Sequence, residues 1–214
     1  MKIVQDLIVF DLEATSSENP KGYQENKNII QIGATYLKRI DNERYEMSDS
    51  FHQLVQPTNA IISPFIEELT GVTNEKVKDA PLFTEASEMF VNWARGLGNI
   101  KNVRLCAWGT YFDMPLLRKH FNERSLKFPF SGTAYDAKTW ACLWLMLSGR
   151  RTDKMSVEHL AKLMEIPQIG KYHDAEVDAI MTAKIVQRIM SDLDNGFFVD
   201  QAHKGKSLYL KISD

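Results

Sequence analysis

The run Leu7-Ile8-Val9-Phe10-Asp11-Leu12-Glu13 constrains the fold more than any other stretch of the chain. Four apolar residues lead straight into two carboxylates set one residue apart. In a strand, residues i and i+2 share a face, so Asp11 and Glu13 project together while Leu12 packs the other way. Two like charges held that close repel, and burying either costs several kcal/mol unless something positive lies between them. A hard divalent cation, bound through oxygen, is the simplest occupant. The plainer alternative is a strand that runs out into solvated acids.

The rest of the chain decides between the two. Its 214 residues allow one domain with a sizeable core. With 44% hydrophobic and 25% charged residues, disordered and fibrous classes are excluded. There are 26 basic and 28 acidic side chains, a net charge of −2, so no bulk electrostatic grip on a polyanion exists. Nucleic acid would have to be held by a local basic patch or by metal. No apolar run approaches the ~20 residues of a membrane span, and Met1 to Asp6 lack the features of a signal peptide. Cys106 and Cys142 show no paired spacing and read as reduced core thiols of a cytoplasmic protein.

In chain order, the polar stretch Ser16 to Asn28 reads as a loop beside the acid-tipped strand. Strands are expected over Ile29 to Leu37 and Tyr45 to Val55, joined by a charged turn at Asp41-Asn42-Glu43, which makes a three-strand antiparallel meander. A short helix begins at Pro64 and stops at Gly71, and a turn follows at Val72 to Val77. Ala86, Met89, Phe90, Trp93 and Leu97 mark an amphipathic helix from Thr84. A buried strand at Val103 to Trp108, a helix from Met114 to about Arg124, a short strand near Thr133 to Tyr135 and a helix from Ala137 to Leu147 come next. Ser156 caps another short helix. The last strong helix, Asp174 to about Met190, should bury Val177, Ile180, Met181, Ile185 and Ile189. Beyond it lies a tail with a weak strand signal at Ser207 to Ile212. Three meander strands followed by helix-strand alternation imply a mixed α/β sheet covered by helices.

Two further acid motifs stand out. Trp108-Gly109-Thr110-Tyr111-Phe112-Asp113 puts a carboxylate just past a buried strand at a helix start, which alone reads as an N-cap aspartate. In His173-Asp174-Ala175-Glu176-Val177-Asp178, Asp174 suits the N-cap and Asp178 lies one turn in, beside the apolar face that holds Ala175, Met181 and Thr182. A carboxylate there again asks for a cation.

Phe10-Asp11-Leu12-Glu13, Phe112-Asp113 and His173-x-Ala175-x-x-Asp178, in that order, resemble the motifs of the DEDDh 3′-to-5′ exonucleases, the DnaQ-like relatives of ribonuclease H. The resemblance covers roughly Ile3 to Met190. Phe51-His52-Gln53-Leu54-Val55-Gln56-Pro57, Ser63-Pro64-Phe65-Ile66, Leu69-Thr70-Gly71-Val72-Thr73 and Ala80-Pro81 look like the branch of the enhanced-RNA-interference exonucleases and KapD. The position four before the last Asp is Asp174, not Tyr, which indicates the histidine group. The resemblance implies a ribonuclease H-like five-stranded mixed sheet, an exonuclease domain over residues 1–192 and an extension of unknown role over 193–214. It implies four carboxylates, Asp11, Glu13, Asp113 and Asp178, holding two Mg²⁺ or Mn²⁺ ions, with His173 as general base. Single-stranded or frayed 3′ ends, RNA more than DNA, would be shortened to 5′-mononucleotides. An idle nucleic-acid or protein-binding module on the same fold, or a DNA proofreading enzyme, is the alternative. By resemblance Leu69 and Thr70 would pack against the terminal nucleotide and Phe112 would stack nearby; core and turn are the equal alternative for these residues. Arg150, Arg151 and Lys154 would reach phosphates, or form a solvated loop. Gly109 stands where relatives often carry Asn. His52, His120, His159 and His203 read as structural or surface residues.

Overall fold

In a computed structural model, which describes residues 5–15, 27–40 and 44–194, the acid-tipped run becomes β1 (Leu7–Ala14), the middle strand of a five-stranded sheet. Leu7 to Phe10 are at most 1% exposed, since both faces of β1 are covered. β2 (Ile29–Arg39) pairs antiparallel with β1, and β3 (Tyr45–Leu54) pairs antiparallel with β2. On the other side β4 (Arg104–Ala107) runs parallel to β1, and β5 (Tyr135–Asp136) runs parallel to β4. The order β3-β2-β1-β4-β5 is the expected meander with parallel strands added.

Helices cover the two faces as the alternation in β1 dictates. Ile8, Phe10 and Leu12 pack on α3 (Phe83–Gly96) and α4 (Thr110–Glu123) through Phe83, Phe90, Leu116 and Phe121. Leu7 and Val9 pack on α5 (Ala137–Leu147), α6 (Val157–Leu163) and α7 (Ala175–Asp194) through Trp144, Leu160, Met181 and Ile185. Asp11 and Glu13 share the parity of Leu7 and Val9, so they point toward α7. A smaller cluster, Ile30, Ile62, Ile66, Val72 and Val77, sits under α1 (Pro64–Thr70) and α2 (Asn74–Val77).

Three details differ from what the sequence suggests. α4 starts at Thr110, four residues before Met114, because Gly109 at φ +86 reverses the chain straight out of β4; Pro115 lies inside the helix and does not open it. α7 runs on to Asp194, past the expected end and past residue 192. Its last turn lacks an apolar stripe but is tied down by Asp192, which accepts from Trp144 Nε1 at 2.8 Å and Arg188 Nε at 3.0 Å. On the same helix Val177 and Ile180 are only half-buried, and Cys142 is partly exposed, not a core thiol. The turn at 41–43, most of the 16–28 loop, the strand signal at 207–212 and His203 lie outside the described residues. Among the described residues no helix is long and apolar enough to cross a membrane.

Candidate active site

The C-terminal ends of the parallel strands β1 and β4 open into a cleft of about 640 Å³, and Asp11, Glu13, Asp113, His173 and Asp178 all line it. Three separate local structures bring them there.

The first is β1 itself, whose pleat aims Asp11 and Glu13 to one side. The second is the start of α4. Asp113 is not an N-cap: it lies inside the first turn, 3% exposed, and its Oδ1 accepts from the Leu12 backbone N–H at 3.1 Å. The helix therefore hangs from β1 through this carboxylate. The third is the entry to α7. Asp174 caps it, its Oδ1 accepting from the Glu176 and Val177 N–H groups at 3.0 and 3.4 Å. His173, exposed and at φ +66, turns the chain in the left-handed region, and its N–H donates to Asp178 Oδ2 at 2.8 Å.

What lets α7 come so close is Gly33 of β2, the register partner of Asp11. A Cβ at position 33 would lie 2.0 Å from the Ala175 carbonyl carbon, so no side chain could be accommodated there. Beside it Gln31, 2% exposed, accepts from the Ala175 N–H at 3.2 Å through Oε1, and its amide meets His52 Nε2 at 2.9 Å. His52 is thus part of the helix seat. No sequence motif singles out Gly33 or Gln31; a lone glycine in a buried strand is the available signal for close backbone approach.

The electrostatics follow from the crowding. Burial, then Asp113, Glu13 and Asp178, hold the Asp11 carboxyl well above the usual carboxylate range. Burial, then Asp178 and Asp113, raise Glu13 to about 8. Burial also lifts Asp113, to about 7, against the stabilising Leu12 N–H, and lifts Asp178 against its bond from His173. Glu13, His173 and Asp178 each offer a ligand atom, all within 4.8 Å of one another. Among the described residues, Asp178 Oδ1 is buried with no hydrogen-bond partner. An orphaned carboxylate oxygen among acids that resist ionising alone fits a hard divalent cation, and it fits a solvated acid cluster poorly.

The remaining candidates divide. Phe112 lines the cleft. Leu69 and Thr70 do not; Leu69 packs on the satellite cluster, and the Thr70 hydroxyl donates to the Ile66 carbonyl and accepts from Val72 N–H. Arg150, Arg151 and Lys154 are exposed but outside the lining: Arg150 lies over the Trp144 ring at 5.1 Å and Arg151 pairs with Asp153 at 3.3 Å. That loop and the start of α6 instead supply Asp153, Met155, Ser156, Val157 and Glu158 to the cleft wall, and Tyr111 and Lys138 extend it. His120 is buried against Phe83, its Nε2 meeting the Lys27 carbonyl at 3.0 Å.

Known proteins share the chain's sequence pattern and its fold. The family whose sequence pattern matches is described as exonuclease, and the match spans residues 8–186. The chain is 29% identical over 179 residues to the 3′-5′ exonuclease DinG of Staphylococcus epidermidis, covering 83% of this chain and 17% of that one. It is 28% identical over 211 residues to ERI1 exoribonuclease 2 of Danio rerio, covering 87% and 35%. The chain thus spans about a third or less of the length of these relatives. Among solved structures, the nuclease domain of 3′hExo, a DEDDh family member bound to rAMP, superimposes with a TM-score of 0.73 at 22% identity, covering 90% of this chain and 93% of that one.

Proposed function

The chain belongs to the exonuclease family, and from that premise we propose that it removes 5′-mononucleotides one at a time from the 3′ ends of single-stranded or frayed nucleic acid, RNA in preference to DNA. The observation that carries this reading is the orphaned Asp178 Oδ1 beside Glu13 and His173, over the half-buried Asp11 and the buried Asp113. Asp11, Glu13, Asp113 and Asp178 would hold Mg²⁺ or Mn²⁺, two ions in all. Divalent ions held there would neutralise phosphate charge and make a bound water acidic enough to ionise near neutral pH.

The protein's own groups divide the remaining work. His173 stands outside the helix on an exposed left-handed turn that lines the cleft, its backbone N–H bonded to Asp178; in this reading its imidazole would accept the water's proton. Asp113 fixes the floor by gripping β1 through Leu12 N–H. Phe112, in the same turn, presents an apolar surface at the cleft for a nucleobase. Arg150, Arg151 and Lys154, exposed beyond the wall, suit phosphates further along the strand. RNA preference is supported by the likeness to an exoribonuclease.

A 5′-labelled single strand, offered as RNA and as DNA of the same sequence, tests the proposal. With Mg²⁺ or Mn²⁺ it should shorten stepwise from the 3′ end, RNA faster, and EDTA should stop it. Internal cuts, or shortening that survives chelation, would overturn the reading.

A further inference from the structure

The cleft wall carries a feature that the acid cluster does not use. Tyr111, in the first turn of α4, is 60% exposed, unusual for an aromatic ring beside a core, and it lines the cleft. Its ring lies against Gly109: a Cβ at that position would be 2.8 Å from Tyr111 Cε1. The missing side chain at 109 therefore makes the shelf on which the ring rests. Facing it is Lys138, whose Nζ lies 5.9 Å from the ring centroid. Lys138 sits in the first turn of α5, an 11-residue helix whose positive end disfavours a cation. Among the described residues no carboxylate pairs with it, although six carboxylates line the cleft and it is the one Lys or Arg among the lining residues. A cation placed against a helix dipole, without a carboxylate partner, beside an exposed ring at the mouth of an acidic cleft matches one kind of ligand: an aromatic base joined to a phosphate.

We propose that Tyr111 and Lys138 form a binding subsite for a nucleotide of the retained strand, the base stacking on the Tyr111 ring and a backbone phosphate meeting the Lys138 ammonium. This rests on the exonuclease reading and deepens it. The subsite would hold the strand at the rim while its terminal nucleotide lies among the acids. It also gives Gly109 a reason, since any side chain there would push the ring off its shelf.

The test is fluorescence anisotropy of a 5′-labelled single-stranded decanucleotide in Mg²⁺, read before shortening sets in, with the full chain carrying His173→Ala to slow cutting. Further substitution with Tyr111→Ala should weaken binding about tenfold to a hundredfold. Tyr111→Phe, which keeps the ring, should stay within about twofold of the background by the same stacking argument. Lys138→Ala should weaken binding and lower the slope of log affinity against log salt by ~0.7, the value for neutralising one single-strand phosphate. Lys138→Glu should weaken it further. Melting curves matching the background would show that each variant is folded, as expected for exposed side chains. Binding indifferent to Tyr111→Ala and to both Lys138 changes would refute the subsite alone. Failure of the unaltered protein to bind or shorten any oligonucleotide would refute the exonuclease reading beneath it.

Discussion

Replacing Glu13 with glutamine should stabilise the metal-free protein. The side chain keeps its shape and loses one charge from a cleft where three other buried or half-buried carboxylates surround it. Burial and those neighbours raise Glu13 from 4.5 to about 8 in the folded chain. A carboxyl raised in this way leaves the fold at full stability below pH 4.5 and weakens it progressively as pH rises toward 8. At pH 7, 2.5 pH units above 4.5, ~1.36 kcal/mol per unit puts the burden at ~3.4 kcal/mol. Asp11 and Asp113 relax by taking up protons themselves, which spreads the load, so ~1–3 kcal/mol is expected from this one change. For a chain of this size that is a rise in Tm of roughly 2–12 °C. Thermal melts of Glu13→Gln and the parent in EDTA, at pH 4 and at pH 7, measure it. The gap should be small at pH 4 and open by pH 7. In excess Mg²⁺ or Mn²⁺ it should close or reverse, because only the parent gains the full stabilisation of metal binding. A variant less stable than the parent at pH 7 in EDTA would refute this: Glu13 would then be an ordinary hydrogen-bonded acid in a cleft without charge strain.

His173→Ala should lower kcat by ~10²-fold or more while metal affinity measured by calorimetry persists; a collapse of that affinity would make His173 a ligand instead of a base. Gly33→Ala should cost ~2 kcal/mol or more and cut activity with it, since the new methyl meets the backbone of Ala175; unchanged melting and activity would disprove the close approach. Neutralising Arg150, Arg151 and Lys154 together should weaken single-strand binding and reduce its salt slope, by ~0.7 for each phosphate no longer neutralised. A slope that does not move would leave that loop a solvated connector.

Much of this site is readable in the sequence because its chemistry is local. Asp11 and Glu13 share a strand face by their spacing, and Asp178 follows His173 by little more than one helical turn, so each motif can be recognised without knowing what it touches. The fold is legible for the same reason: β1 to β3 carry alternation or long apolar runs with turns between them. Asp113 shows where that logic stops. The residue pattern suggests a helix from Met114, and only the positive φ of Gly109 moves the start back and turns an apparent cap into the floor of the cleft. Gly33, Gln31 and Lys138 are invisible in sequence for a different reason. Their roles are set by what lies across the fold, an approach of two backbones or a cleft wall, and no local pattern encodes that. The basic triplet is conspicuous in sequence, yet among the described residues the one Lys or Arg that lines the cleft is a solitary lysine at a helix start.

The seating of α7 on β2 also bears on when the acid cluster can be complete. The groups it unites come from nearly opposite ends of the described chain, with Glu13 and His173 lying 160 positions apart. At ~5–20 residues per second of synthesis, β1 leaves the ribosome roughly 10–30 s before the helix that completes the cluster. Throughout that interval the nascent polypeptide lacks Asp178, and no peptide ending before that residue can assemble the full set of acids. Under the proposed function, cutting of nucleic acid would have to wait for that last helix, by the order in which the protein's own parts are made.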